Sequence, residues 1–221
     1  MMRLIAFLPT IVSLLIGCST GGAPQLVSVA SPGISVDMKY FSGDNLVGEP
    51  LDGYRANKCL LAGEAAAALQ QVATDLRVLG VGLVVFDCYR PQSAVNHFVR
   101  WASTAEDHST KERFYPREEK AQLFARGYIA QRSGHSRGAT VDLGLYDLAS
   151  GNLLDMGTPF DFMDERSATE YPLESSAAYR NRMLLRDAMR ARGFVNYPQE
   201  WWHFTYKPEP WPDQYFDVPV E

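Results

Sequence analysis

The chain has 221 residues, of which 46% are hydrophobic and 21% charged. These are globular proportions, so disorder, collagen and coiled coil are excluded, and a chain this long buries a core without a disulfide framework. The net charge of −5, from 21 Lys+Arg against 26 Asp+Glu with no basic face, argues against nucleic acid as a partner.

Arg3 precedes an apolar stretch, 4–16, broken only by Pro9, Thr10 and Ser13. It is too short to span a bilayer, which takes about 20 apolar residues, and reads as a secretory signal. Its end, Leu15-Ile16-Gly17-Cys18, resembles the lipobox of bacterial lipoproteins. That resemblance implies removal of 1–17, acylation of Cys18, and an exported protein lipid-anchored on the periplasmic side of the inner membrane. If the cell has an outer membrane, Ser19 after the Cys resembles lipoproteins sent there. An ordinary signal peptide with an incidental Cys is the alternative. Residues 18–32, rich in Gly, Pro and small side chains, read as a flexible tether. The folded domain is expected over 33–221.

Within it, the Ala- and Leu-rich segment 63–79 has helical spacing and ends at Gly80. Residues 81–88 are a β-branched run, hence a strand. Residues 92–102 place Val95, Phe98, Val99 and Ala102 on one helical face. A charged, irregular excursion over 104–119 is followed by a further expected helix over 120–132. Thr140 to Tyr146 alternates, with Val141, Leu143 and Leu145 opposite Asp142, Gly144 and Tyr146, the pattern of a half-buried strand. The longest helical pattern, 175–192, stops at Gly193, and strands are expected over 194–197 and 201–206. Helices bracket the strands without a βαβ rhythm, so the expectation is a single α+β domain with a small central antiparallel sheet flanked by helices.

Three segments carry chemistry. In Ser133-Gly134-His135 through Asp142, one imidazole and one carboxylate stand seven residues apart, opposite faces of a straight strand. Gly134 and Gly138 permit the bend that joins them, giving two of the three protein ligands of a catalytic zinc. A loop His with a surface Asp is the plain alternative. In Glu200-Trp201-Trp202-His203, His203 is either a packed core histidine or a third ligand, with Glu200 as a base on a turn. In Asp87-Cys88-Tyr89-Arg90-Pro91, the proline keeps Arg90 extended, so its guanidinium either stabilises a substrate oxygen or pairs with a carboxylate. Cys59 and Cys88 are a disulfide candidate in an exported chain, with two buried free thiols as the alternative.

Together, Asp87-x-Tyr89-Arg90-Pro91, Ser133-x-His135-x-x-Gly138-x-x-x-Asp142 and Glu200-Trp201-Trp202-His203 resemble the VanX-type D-alanyl-D-alanine dipeptidases. These belong to a zinc peptidase superfamily that includes D,D-carboxypeptidases and the hedgehog-type fold. The likeness runs from about Gly33 to Tyr206, with Thr140 standing where the family usually has Ala. It implies one zinc ion (Zn2+) per chain on His135, Asp142 and His203, with Glu200 as general base and Arg90 as transition-state stabiliser. Ser133 and Asp161 would bind substrate, Asp161 near a dipeptide's free amine. The implied activity is hydrolysis of D-Ala-D-Ala or similar dipeptides. A D,D-carboxypeptidase trimming peptidoglycan stems and a non-catalytic zinc module that binds cell wall are the alternatives. The same ligand set also suits iron(II) in an oxygenase, but no jelly-roll pattern accompanies it.

Overall fold

A computed structural model describes residues 23–105 and 109–221. The expected signal segment 1–17, Cys18 and the first residues of the tether lie outside the described residues. Strand β1 (Leu26–Ser28) is followed by β2 (Ile34–Val36), the short helix α1 (Lys39–Ser42), β3 (Leu60–Ala62) and α2 (Gly63–Arg77). Next come β4 (Val81–Asp87), α3 (Gln92–Ala102), the short α4 (Lys111–Phe114) and β5 (Thr140–Asp147). The chain closes with α5 (Ser176–Ala191), β6 (Phe194–Asn196) and β7 (His203–Tyr206).

The tether is shorter than the sequence suggests. β1 pairs antiparallel with β3, and Val29, only 2% exposed, donates its N–H to Cys59 O. Leu26 and Val29 pack against the core, in a segment whose Gly and Pro content reads as coil, so the packed chain reaches back into 18–32.

The main sheet has five strands in the order β2-β4-β5-β7-β6. It is mixed, not wholly antiparallel, because β2 runs parallel to β4. The long connection through α2 returns the chain in the same direction, as a crossover does. β5 is buried along its first six residues, so both its faces are covered and the half-buried expectation fails. On one face Phe86 stacks on Phe160, which meets Trp202 edge-on. Helices α2 and α5 pack against each other and against β4 and β5, respectively.

Helix α2 buries Ala65, Ala66, Leu69, Val72, Ala73 and Leu76, a single apolar stripe. Helix α5 starts where Ser175 Oγ accepts the Ala178 N–H at 3.2 Å. Of the helix expected over 120–132, only a 3-10 turn at Lys120–Gln122 forms; Gly127, at φ 82°, turns the chain away five residues later. Trp201 and Trp202 form a turn rather than a strand. Cys59 and Cys88 are joined by a disulfide, Cα–Cα 5.2 Å, tying the entry of β3 to the exit of β4.

Candidate metal and active site

His135 sits on a 3-10 turn, Gly134–Arg137, capped by Ser133, whose Oγ accepts the His135 N–H at 3.2 Å. Gly138 ends that turn at φ 78°, and a Cβ there would stand 2.8 Å from Leu26 Cδ2. The reversal runs the chain into β5, which brings Asp142 beneath His135. In the sheet register Asp142 lies opposite Asp87 of β4 on one side and His203 of β7 on the other. Directly opposed residues of antiparallel strands hold their side chains side by side, so two of the three proposed ligands meet through sheet pairing alone.

The ligand atoms of His135, Asp142 and His203 all lie within 4.8 Å of one another. His135 Nε2 is 3.3 Å from Asp142 Oδ2 and 3.3 Å from His203 Nδ1, and His203 Nδ1 is 3.1 Å from Asp142 Oδ1. His135 Nδ1 lies 2.7 Å from the carbonyl of Cys88. A carbonyl only accepts, so the proton is on Nδ1 and the Nε2 lone pair points inward. Asp142 Oδ1 is buried and, despite its nearness to His203, makes no hydrogen bond. Two imidazoles and a carboxylate, one of whose oxygens is buried and orphaned, fit a divalent ion such as zinc. Burial alone would raise the Asp142 carboxyl, but His135 and His203 outweigh it and hold it below the usual range. Burial likewise lowers His203, and Asp142, then Glu200, more than reverse this.

Glu200 follows the turn at Pro198, with its N–H donated to Tyr197 O at 3.0 Å. One carboxylate oxygen lies 3.5 Å from His203 Nδ1. Burial raises its pKa to about 7, with His203 and Arg90 pulling against Asp142. Arg90 pairs with carboxylates and also lines the cavity of the site. Nε donates to Asp87 Oδ2 at 2.9 Å, while Nη2 reaches to 3.6 Å from Asp142 Oδ2. The guanidinium also lies 4.7 Å from the ring centre of Tyr40 and 5.4 Å from that of Phe98.

Asp161 stands in a loop at φ 58°, buried, its Oδ2 accepting the Tyr40 hydroxyl at 2.8 Å. Burial, then the charge of Asp142, push this carboxyl well above the usual range. A cavity of about 260 Å³ takes in Arg90, Ser133, His135, Asp142, Asp161, Glu200 and His203 together. Residues 127–130 and 132–134 also line it, and no described residue of the 104–119 excursion does. Tyr40 belongs to this site and no motif pointed to it: it is separated from Asp161 by 121 residues. Cys59 and Cys88 lie outside the cavity, although the Cys88 carbonyl orients His135.

A buried three-donor cluster with a carboxyl poised near neutrality and an anchored guanidinium meets the requirements of metal-assisted hydrolysis, and sets the chain among α+β metallopeptidases. Comparison with known proteins narrows this. The peptidase family profile described as D-ala-D-ala dipeptidase matches residues 23–221, and the chain belongs to that family. The D-alanyl-D-alanine dipeptidase of Streptomyces coelicolor is 49% identical over 85% of this chain and 93% of its own length. That of Enterococcus faecalis is 46% identical, with the same coverage of 85% and 93%. A crystal structure of a vancomycin resistance D,D-pentapeptidase VanY mutant with Zn(II) aligns at TM-score 0.43 and 17% identity, over 68% of this chain and 75% of that one.

Proposed function

We propose that the protein is a zinc dipeptidase that hydrolyses D-Ala-D-Ala or similar short dipeptides in cell-wall peptide turnover. The observation that carries this is the convergence of His135, Asp142 and His203 in one cavity with Glu200 and Arg90. His135 Nε2, Asp142 and His203 Nδ1 would hold the ion. When bound, zinc supplies Lewis acidity and lowers the pKa of water to about 7. Glu200, near that value itself, takes the proton of the attacking water and returns it to the leaving amine. Arg90, fixed by Asp87, offers its remaining edge to the charge that develops on the carbonyl oxygen. Asp161, forced toward its neutral form by burial, ionises against the ammonium of a free dipeptide. Ser133 lines the same cavity beside His135.

Glu200→Ala abolishes turnover and leaves one zinc per chain; zinc bound with undiminished activity overturns the assignment. Elemental analysis of protein purified without added metal separates zinc from iron. The names of the curated relatives favour the free dipeptide as substrate, and an assay of D-Ala-D-Ala beside a stem pentapeptide tests it. Preference for the pentapeptide would make the protein a D,D-carboxypeptidase.

We also propose export and lipidation at Cys18, on the strength of the sequence of 1–18. The Cys59–Cys88 disulfide supports an oxidising compartment. Anchoring outside the cytoplasm keeps the enzyme from D-Ala-D-Ala that a growing cell needs, which favours wall-fragment recycling. Cys18→Ser should detach the protein from membranes; its retention there, with an intact N-terminus, refutes the lipoprotein reading.

A further inference from the structure

The turn from Tyr197 to Trp202 leads from Glu200 into His203, and backbone bonds hold it in part: His203 N–H donates to Glu200 O at 3.3 Å and Tyr197 N–H to His203 O at 2.9 Å. One side chain spans it. Asn196 Nδ2 donates to the carbonyl oxygens of Glu200 and of His203, at 3.0 Å each. Both acceptors are carbonyls without a proton to give, so the amide nitrogen must face them and Oδ1 must face away. There Oδ1 accepts the hydroxyl of Thr169 at 2.6 Å. Thr169 is 2% exposed, and its own N–H donates to Pro198 O at 2.9 Å, so it grips the turn twice.

We propose that Asn196, locked in one orientation by Thr169, is a positioning residue that sets Glu200 and His203 relative to each other. The two carbonyls it holds belong to those two residues, so as a second donor beside the backbone N–H groups of His203 and Tyr197 it restrains the peptide leaving each of them. A displacement of about 1 Å at a reacting group costs on the order of 100-fold in rate. The inference rests on Glu200 as base and His203 as ligand. It concerns neither the zinc contacts nor the substrate contacts themselves.

The test compares Asn196→Ala, Thr169→Val and Thr169→Ser by chelator-competition zinc affinity, by kcat and KM on D-Ala-D-Ala, and by thermal unfolding. Asn196→Ala should weaken zinc binding by roughly 10- to 100-fold and lower kcat by a similar factor. KM should stay within about threefold, because no substrate contact is lost. Thr169→Val should act in the same direction and Thr169→Ser, which keeps the hydroxyl, should stay near wild type. In the Asn196→Ala background Thr169→Val should add nothing to the loss in kcat. Variants that unfold at lower temperature yet keep wild-type zinc affinity and kcat overturn the proposal, as do additive effects of the two positions. If Asn196→Ala does not fold, the Thr169 pair alone decides. The zinc measurement needs no substrate, so a zinc-binding wild type inactive on D-Ala-D-Ala would refute the dipeptidase reading and leave the clamp under test.

Discussion

Among the described residues Asp161 is the one non-glycine with positive φ, at 58°. An L residue held there costs stability, and such strain persists where surrounding structure over-determines it, as at binding sites. Here burial and the Tyr40 hydroxyl do the holding. Asp161→Asn keeps an acceptor for Tyr40 but removes the charge that would meet a dipeptide's ammonium. A hydrogen bond to a charged group contributes about 1.5–3 kcal/mol, so KM for D-Ala-D-Ala should rise by roughly 10- to 100-fold with zinc content unchanged. An N-acetylated dipeptide, which has no ammonium, should be handled equally by variant and wild type; an equal loss on both would sink the assignment. Arg90→Lys separates a second pair of roles. A lysine provides one point charge where Arg90 divides its guanidinium between Asp87 and the cavity. Turnover should fall by about 100-fold, the scale of one lost oxyanion donor, and wild-type kcat in that variant would assign Arg90 to structure alone.

At the scale of elements, the site's support lies where the sequence is least readable. Arg182 of α5 is wholly buried and faces no carboxylate within ion-pair distance among the described residues. Its guanidinium donates to the carbonyls of Met156 (2.7 Å), Arg166 (2.9 Å) and Ala168 (2.7 Å), pinning the loop that carries Asp161. Burial lowers its pKa to about 10, so it stays charged at neutral pH. Arg182→Met leaves the carbonyls of Met156 and Arg166 without a donor, while Ala168 O keeps the Tyr171 N–H, and should cost about 2–4 kcal/mol of unfolding free energy in urea; a loss under about 0.5 kcal/mol would show that water replaces it. An Arg inside a helical pattern reads as a solvated face, which is why this clamp was invisible. The candidate ligands are legible through the motifs that carry the family resemblance, not through spacing alone, and the helices because α2, α3 and α5 bury apolar stripes at helical spacing. Long-range partners are not. β1 forms because β3 offers it an edge, β2 runs parallel because a crossover precedes β4, and the segment 120–132 is turned aside at Gly127, whose φ of 82° no α-helix accommodates.

Two cross-links hold distant parts of the molecule together. Arg117 donates from Nε to Asp164 Oδ2 at 2.6 Å, fastening the excursion to the Asp161 loop. Burial would raise Asp164, but Arg117 and Arg166 bring it down from 3.8 to about 2. A folded-state pKa below the unfolded one adds stability that is complete above the unfolded pKa and is lost as pH falls from there through about 2. Arg117 is half exposed, so solvent screens the pair and the contribution is small. Asp164→Asn should therefore flatten the acid limb of the stability curve in that window, and an unaltered limb would exclude this pair as its source. The disulfide acts more strongly. Cys59 and Cys88 are 29 residues apart, and closing a loop of that size removes chain entropy worth about 3.5 kcal/mol from the unfolded state. A Cys59→Ser, Cys88→Ser variant should lose about 2–4 kcal/mol by denaturant unfolding. Because Cys88 also presents the carbonyl that orients His135, the variant should bind zinc more weakly than its loss of stability explains. Reductant added to the native protein should change neither property, since both cysteines are at most 1% exposed. A double variant as stable as wild type would mean that packing around β3 and β4 already fixes this junction, and the disulfide would then mark only the compartment in which the protein folds.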